Sequence, residues 1–206
     1  MFFLRIYKNI FSYLVANKKL IFITLLFIAE SIVYCLINSE ADISSYLAYH
    51  DETRPQYGTL FSFILFENTQ AMLPTIIMGT VPFFLGTLFC TYSTVHSLVI
   101  AFKYIISSLP IETILAGTLP HGIFEIPAII FSMILSAIIS KEITLAILSF
   151  ITKKKFDNSK AIFYRNGLKE TAIFVAKSLV FVILPLVFIG AFVETFITGR
   201  IIENFI

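Results

Sequence analysis

Six ionisable side chains stand inside otherwise apolar runs of the 206-residue chain: Glu30, His96, Lys103, His121, Glu125 and Glu194. In hydrocarbon each costs on the order of 2.5 to 3.5 kcal/mol, so each needs a partner or a purpose. Glu30 and Lys103 fall near the middles of two apolar runs with opposite charge, which allows an ion pair between helices. His121 and Glu125 are four residues apart and therefore share a helical face. Asn68 stands just before one apolar run and Glu194 near the end of the last, at a depth that matches His121 and Glu125. Such a group can bind a cation, hydrogen-bond a partner, or tie three helices together.

Catalysis by these residues is not expected. A zinc peptidase on a helix needs His-Glu-x-x-His, whereas His121-Gly122-Ile123-Phe124-Glu125 has no second histidine in phase. No glycine-rich phosphate loop and no Ser/His/Asp arrangement is present either. The reading is a non-enzymatic protein with no catalytic residues, metal or cofactor. Cys35 and Cys90 sit in apolar runs and act as small hydrophobes.

The elements that must carry these side chains follow from composition. Hydrophobic residues make up 58% and charged residues 14%, with 23 Phe and a mean hydropathy of +0.91. Soluble domains are about 45 to 50% apolar and about 25% charged, so this chain suits lipid on its outside as well as its inside. The expected fold is all-α: one membrane domain, a polytopic bundle of about five spans. The spans are expected at 20–38, 71–90, 94–109, 122–140 and 178–197, near the roughly 20 residues that cross about 30 Å of hydrocarbon. Residues 39–69 read as a polar loop, with 60–66 too short to cross. Within 1–19, Phe3, Ile6, Tyr7, Ile10, Phe11 and Leu14 face one side and Arg5, Lys8, Asn9 and Ser12 the other, as in an interfacial amphipathic helix.

Four of the Lys and Arg precede the first span and eight lie in 141–177. The positive-inside rule puts both segments in the cytoplasm, with four crossings between them, and sends the C-terminus outward. The same grouping makes the net charge of +2 a topology signal and leaves nucleic acid a poor partner. Lys153-Lys154-Lys155 then reads as a topology signal and anionic-lipid contact. Small residues recur every four positions at Ala128, Ser132, Ser136 and Ser140, and again at Ser93, Ser97 and Ala101. Such stripes let helix backbones approach closely, here for packing within the bundle.

The stretch Leu119-Pro120-His121-Gly122-Ile123-Phe124-Glu125-Ile126-Pro127-Ala128 resembles the Pro-His-Gly-x-x-Glu-x-x-Ala signature of the stage II sporulation protein M family. Residues 184–197, an apolar run with Glu194 ahead of an aromatic residue, resemble that family's final helix. Glu67-Asn68 stands where the family typically has paired asparagines, which marks a divergent member. The resemblance implies a multi-span cell-membrane scaffold without enzymatic activity. Its implied partners are cell-wall hydrolases at the membrane or, alternatively, a separate ATPase that would make the chain a transporter subunit.

Overall fold

The computed structural model describes residues 2–38, 60–108, 110–151, 158–198 and 200–201. The polar loop expected at 39–59 and the Lys153-Lys154-Lys155 run lie outside the described residues.

The described chain is helical, without strands. It comprises α1 (Phe2–Ala16), α2 (Lys18–Asn38), α3 (Leu60–Met78), α4 (Leu85–Ser108), α5 (Ile111–Ile151) and α6 (Asn158–Ser178). A π-helical turn, Leu179–Ile183, joins α6 to α7 (Leu184–Val193), and a second, Glu194–Thr198, follows α7. Five stretches are long and apolar enough to cross a membrane: α2, α3, α4, α5 and Gly167–Thr198. The chain is thus an all-α polytopic bundle.

The number of membrane-length helices agrees with the sequence, but boundaries differ: α5 continues past 140 to Ile151, the last apolar stretch opens at Gly167 rather than 178, and three internal boundaries move as well. Residues 60–66, expected to be too short to cross, open α3, and the polar residues after them continue that helix. Polarity there is absorbed internally: the Thr69 hydroxyl donates to the Leu65 carbonyl, and Asn68 turns inward. The second and third spans are therefore separated at 79–84, not at Thr91-Tyr92-Ser93, which lie inside α4 with Thr91 buried. Finally, α5 runs unbroken through Pro120 and His121 for 41 residues, about 62 Å at 1.5 Å per residue, twice the hydrocarbon thickness. Its start is set at Pro110, whose carbonyl accepts from the Ile114 N–H at 3.0 Å.

α5 is the central helix. Half of its most apolar window is buried, against 22 to 28% for the other spans, and it packs on α2, α3, α4, α6 and α7. Ala128, Ser132, Ser136 and Ser140 are all essentially inaccessible, so this small-residue stripe serves internal packing. The stripe on α4 does not: Ser93 and Ser97 face outward, and the buried positions are Thr87, Thr91, Val95 and Val99.

The α3–α4 turn shows why α5 carries hydroxyls. Phe83 and Phe84 have φ of 58° and 61°, a left-handed conformation that is costly for bulky side chains. Their N–H groups donate to Thr144 Oγ1 (2.6 Å) and Ser140 Oγ (2.9 Å), and Ser140 returns its own proton to the Val81 carbonyl (2.9 Å). Thr87 and Ser136 share a further hydrogen bond at 2.9 Å. Irregular backbone at this depth is tolerated because protein, not lipid, satisfies it. Gly79 permits the approach: a Cβ there would lie 2.6 Å from the Ser136 carbonyl oxygen.

At the other flank, α1 docks through Ile6 and Ile10, both buried, while Phe3, Tyr7 and Phe11 stay exposed. Tyr13 stacks on Phe174 at 4.2 Å and shares a hydrogen bond with Thr171 at 2.6 Å; burial raises its phenol pKa, keeping the hydroxyl protonated. Lys141 donates to Asn17 Oδ1 at 2.9 Å. The N-terminal helix therefore meets α5 at Lys141 and α6 at Thr171 and Phe174, at one end of the bundle. Pro185 has no N–H for the Phe181 carbonyl, and Tyr7 Oη supplies a proton there at 3.1 Å.

Gly79→Val should force α3 off α5 and lower stability by about 1 to 3 kcal/mol, whereas Ser97→Val, on the outer face, should leave it within about 0.5 kcal/mol of wild type. Thermal unfolding in a mild detergent measures both.

Candidate functional site

The inward-facing polar cluster is assembled by three helices. α3 brings Asn68, α5 brings His121 and Glu125 one turn apart, and the π turn after α7 brings Glu194. The four residues expected at one depth therefore do meet. Asn68 Nδ2 donates to Glu125 Oε1 at 2.5 Å, and Glu125 Oε2 lies 4.0 Å from His121 Nε2. One donor atom from each of His121, Glu125 and Glu194 lies within 4.8 Å of the other two.

Local backbone explains how the carboxylates fit. Gly190 faces Glu125, and a Cβ added there would sit 2.7 Å from Glu125 Cγ and 3.1 Å from Oε1. The absent side chain on α7 is thus the seat of the Glu125 side chain. Glu194 opens the π turn, a local widening that is frequent at functional positions and that changes the direction in which a side chain leaves the helix. The side chains of His121 and Glu125 are only 17% and 13% exposed. Two fully buried polar atoms nearby in sequence, His121 Nδ1 and Thr195 Oγ1, have no hydrogen-bond partner among the described residues. Residue spacing carries no sign of the contribution of Gly190, because a glycine in an apolar run reads equally as packing.

Glu30 and Lys103 are not paired. Lys103 reaches α2, but its Nζ contacts the Cys35 carbonyl at 3.4 Å. Glu30 is exposed on the outside of the bundle. Two residues can share a depth and still leave their helices in different directions, which hydropathy does not encode. His96 is half-buried and stacks on Tyr92, with ring centroids 5.9 Å apart, away from the cluster.

A separate cavity of about 740 Å³ opens at the end of the bundle where α1 meets α5 and α6. Lys141, Glu142, Glu170 and Lys177 line it together with Asn9 and Tyr13, and Lys141 pairs with Glu142 at 2.9 Å. The sequence marked this segment only as basic; the acids that balance it emerge from the way α6 folds back along α5.

Asn68→Ala should leave Glu125 Oε1 without its donor and destabilise the protein by about 1 to 3 kcal/mol. Gly190→Val should expel the Glu125 side chain and cost at least as much, and both are read from unfolding midpoints in detergent.

No curated protein and no solved structure matches the chain. The family model for Stage II sporulation protein M matches residues 11–199, a stretch that takes in α2 to α7 and every residue of the cluster. The signature around His121 and Glu125, the five apolar helices and this match agree: the chain belongs to the stage II sporulation protein M family.

Proposed function

We propose that the protein is a non-enzymatic scaffold of the cell membrane that recruits partner proteins through its spanning helices. The observation that carries this is Glu30, the thirteenth residue of the 21-residue α2, exposed on the outside of the bundle. A glutamate side chain reaches about 5 Å, while the middle of a span is about 15 Å from either interface, so Glu30 cannot snorkel to water. The neighbours on its face, Ile23, Leu26, Val33, Tyr34 and Ile37, are exposed too. A partner helix presenting a cation or hydrogen-bond donor to Glu30 removes the cost and covers that face. In this reading cell-wall hydrolases anchored in the same membrane are the partners, and the inner polar cluster holds the scaffold together.

The lysine-rich end, where α1 meets 141–177, faces the cytoplasm in this proposal and the C-terminus faces out, since lysines and arginines are retained on the inner side. A second reading draws support from the cavity between α1, α5 and α6. Its paired charges at that end offer a seat for a separate ATPase, which would make the chain a transporter subunit.

Affinity purification from gently solubilised membranes distinguishes these. Wild type should carry a stoichiometric membrane partner, and Glu30→Leu should lose at least nine-tenths of it while unfolding at an unchanged temperature. A wild-type chain that always elutes alone would sink the scaffold reading, and a co-purifying ATPase indifferent to Glu30→Leu would favour the second.

A further inference from the structure

We propose that His121, Glu125 and Glu194 form a binding site for one divalent metal ion of the zinc class, which clamps α5 to the C-terminal helix. The site is not the single-helix peptidase motif that the sequence lacks. Two ligands come from α5 at i and i+4, and the third comes from the π turn after α7.

Geometry carries the proposal first. A tetrahedral ion with ligands at about 2.1 Å holds them about 3.4 Å apart. The present separations, 4.0 Å between His121 Nε2 and Glu125 Oε2 and no more than 4.8 Å across the set, close to that value with side-chain rotations of about an ångström. Asn68 engages Glu125 Oε1 and leaves Oε2 towards His121. A hydrogen-bonded outer partner of this kind fixes the orientation of a ligating carboxylate. Gly190 clears the space in which that carboxylate sits.

Charge carries it second. Two carboxylates converge among apolar helices, where field strength is high and water scarce. With a neutral imidazole, one divalent ion brings the set to zero net charge, which a lysine or arginine could do for only one of the acids.

Ligand chemistry then selects the metal. Calcium takes six to eight oxygens, and magnesium demands octahedral oxygen geometry with several waters. A set of one nitrogen and two carboxylates suits zinc or its first-row neighbours. The fully buried His121 Nδ1 lacks a partner, as does the hydroxyl of Thr195 beside Glu194. The set therefore has a free ring nitrogen on one ligand and an uncommitted oxygen donor next to another.

The full chain, purified in nanodiscs through a chelator step, is titrated with zinc chloride and, separately, with cobalt chloride. We expect one zinc per chain by mass spectrometry, a higher unfolding temperature with zinc, and a cobalt spectrum of four-coordinate intensity. Glu194→Gln should weaken zinc binding at least tenfold, and His121→Gln should remove the cobalt signature. His96→Gln, outside the cluster, serves as the control and should bind as wild type does, and the unfolding temperature of each variant without metal reports whether its helices still pack. Stoichiometric zinc unaffected by Glu194→Gln, a six-coordinate cobalt spectrum, equal stabilisation by calcium, or no zinc retained by a folded wild type would each overturn the site. None of these results depends on whether Glu30 recruits a partner.

Discussion

Hydrocarbon offers no hydrogen bonds, so a polar group taken into the bundle has only the protein to draw a partner from. This constraint makes α5 the organising element. Among the described residues it touches all the other spans, and its inner face presents hydroxyls or a carboxylate to several of them. The irregular α3–α4 turn meets Ser140 and Thr144, α4 meets Ser136 through Thr87, and α3 meets Glu125 through Asn68. The small size of Ala128, Ser132, Ser136 and Ser140 matters for the same reason, since a hydroxyl reaches a neighbouring backbone only when the helices lie close.

The same logic applies to prolines and glycines that look disruptive in the sequence. Pro185 leaves a carbonyl without its usual donor, and a tyrosine from α1 supplies one. The chain widens into a π turn just before it. Gly79 and Gly190 are not hinges here: each removes a side chain where α5 must approach, one at the Ser136 backbone and one at Glu125. Pro120 and Pro127 sit within α5 without ending it, beside the cluster that the helix carries.

Much of this was legible beforehand because it follows from one-dimensional rules. Apolar length identified five spans, and the i, i+4 spacing put His121 beside Glu125. Depth along the spans brought Asn68 and Glu194 to the same level. What stayed hidden depends on rotation about helix axes and on three-dimensional partners. Thr91-Tyr92-Ser93 looked like a break because polarity was counted without knowing that Thr91 faces a neighbouring helix. The beginning of α3 looked like a loop because its apolar piece, 60–66, is too short to cross by itself. Glu30 and Lys103 looked like a pair because depth is readable and azimuth is not.

Three acids in the spans thus meet three different situations, and the contrast separates structure from recruitment. Glu125 is held by Asn68 and seated against Gly190, so the fold has built a place for it. Glu194 joins it on a widened turn, with a carboxylate oxygen within 4.8 Å of one on Glu125. Glu30 has no such place: its helix turns it away from the bundle at the depth where water is farthest. An inward acid with a tailored pocket constrains the chain's own helices, whereas an outward one does not, and it is on that difference that the proposed recruitment of a partner through Glu30 rests.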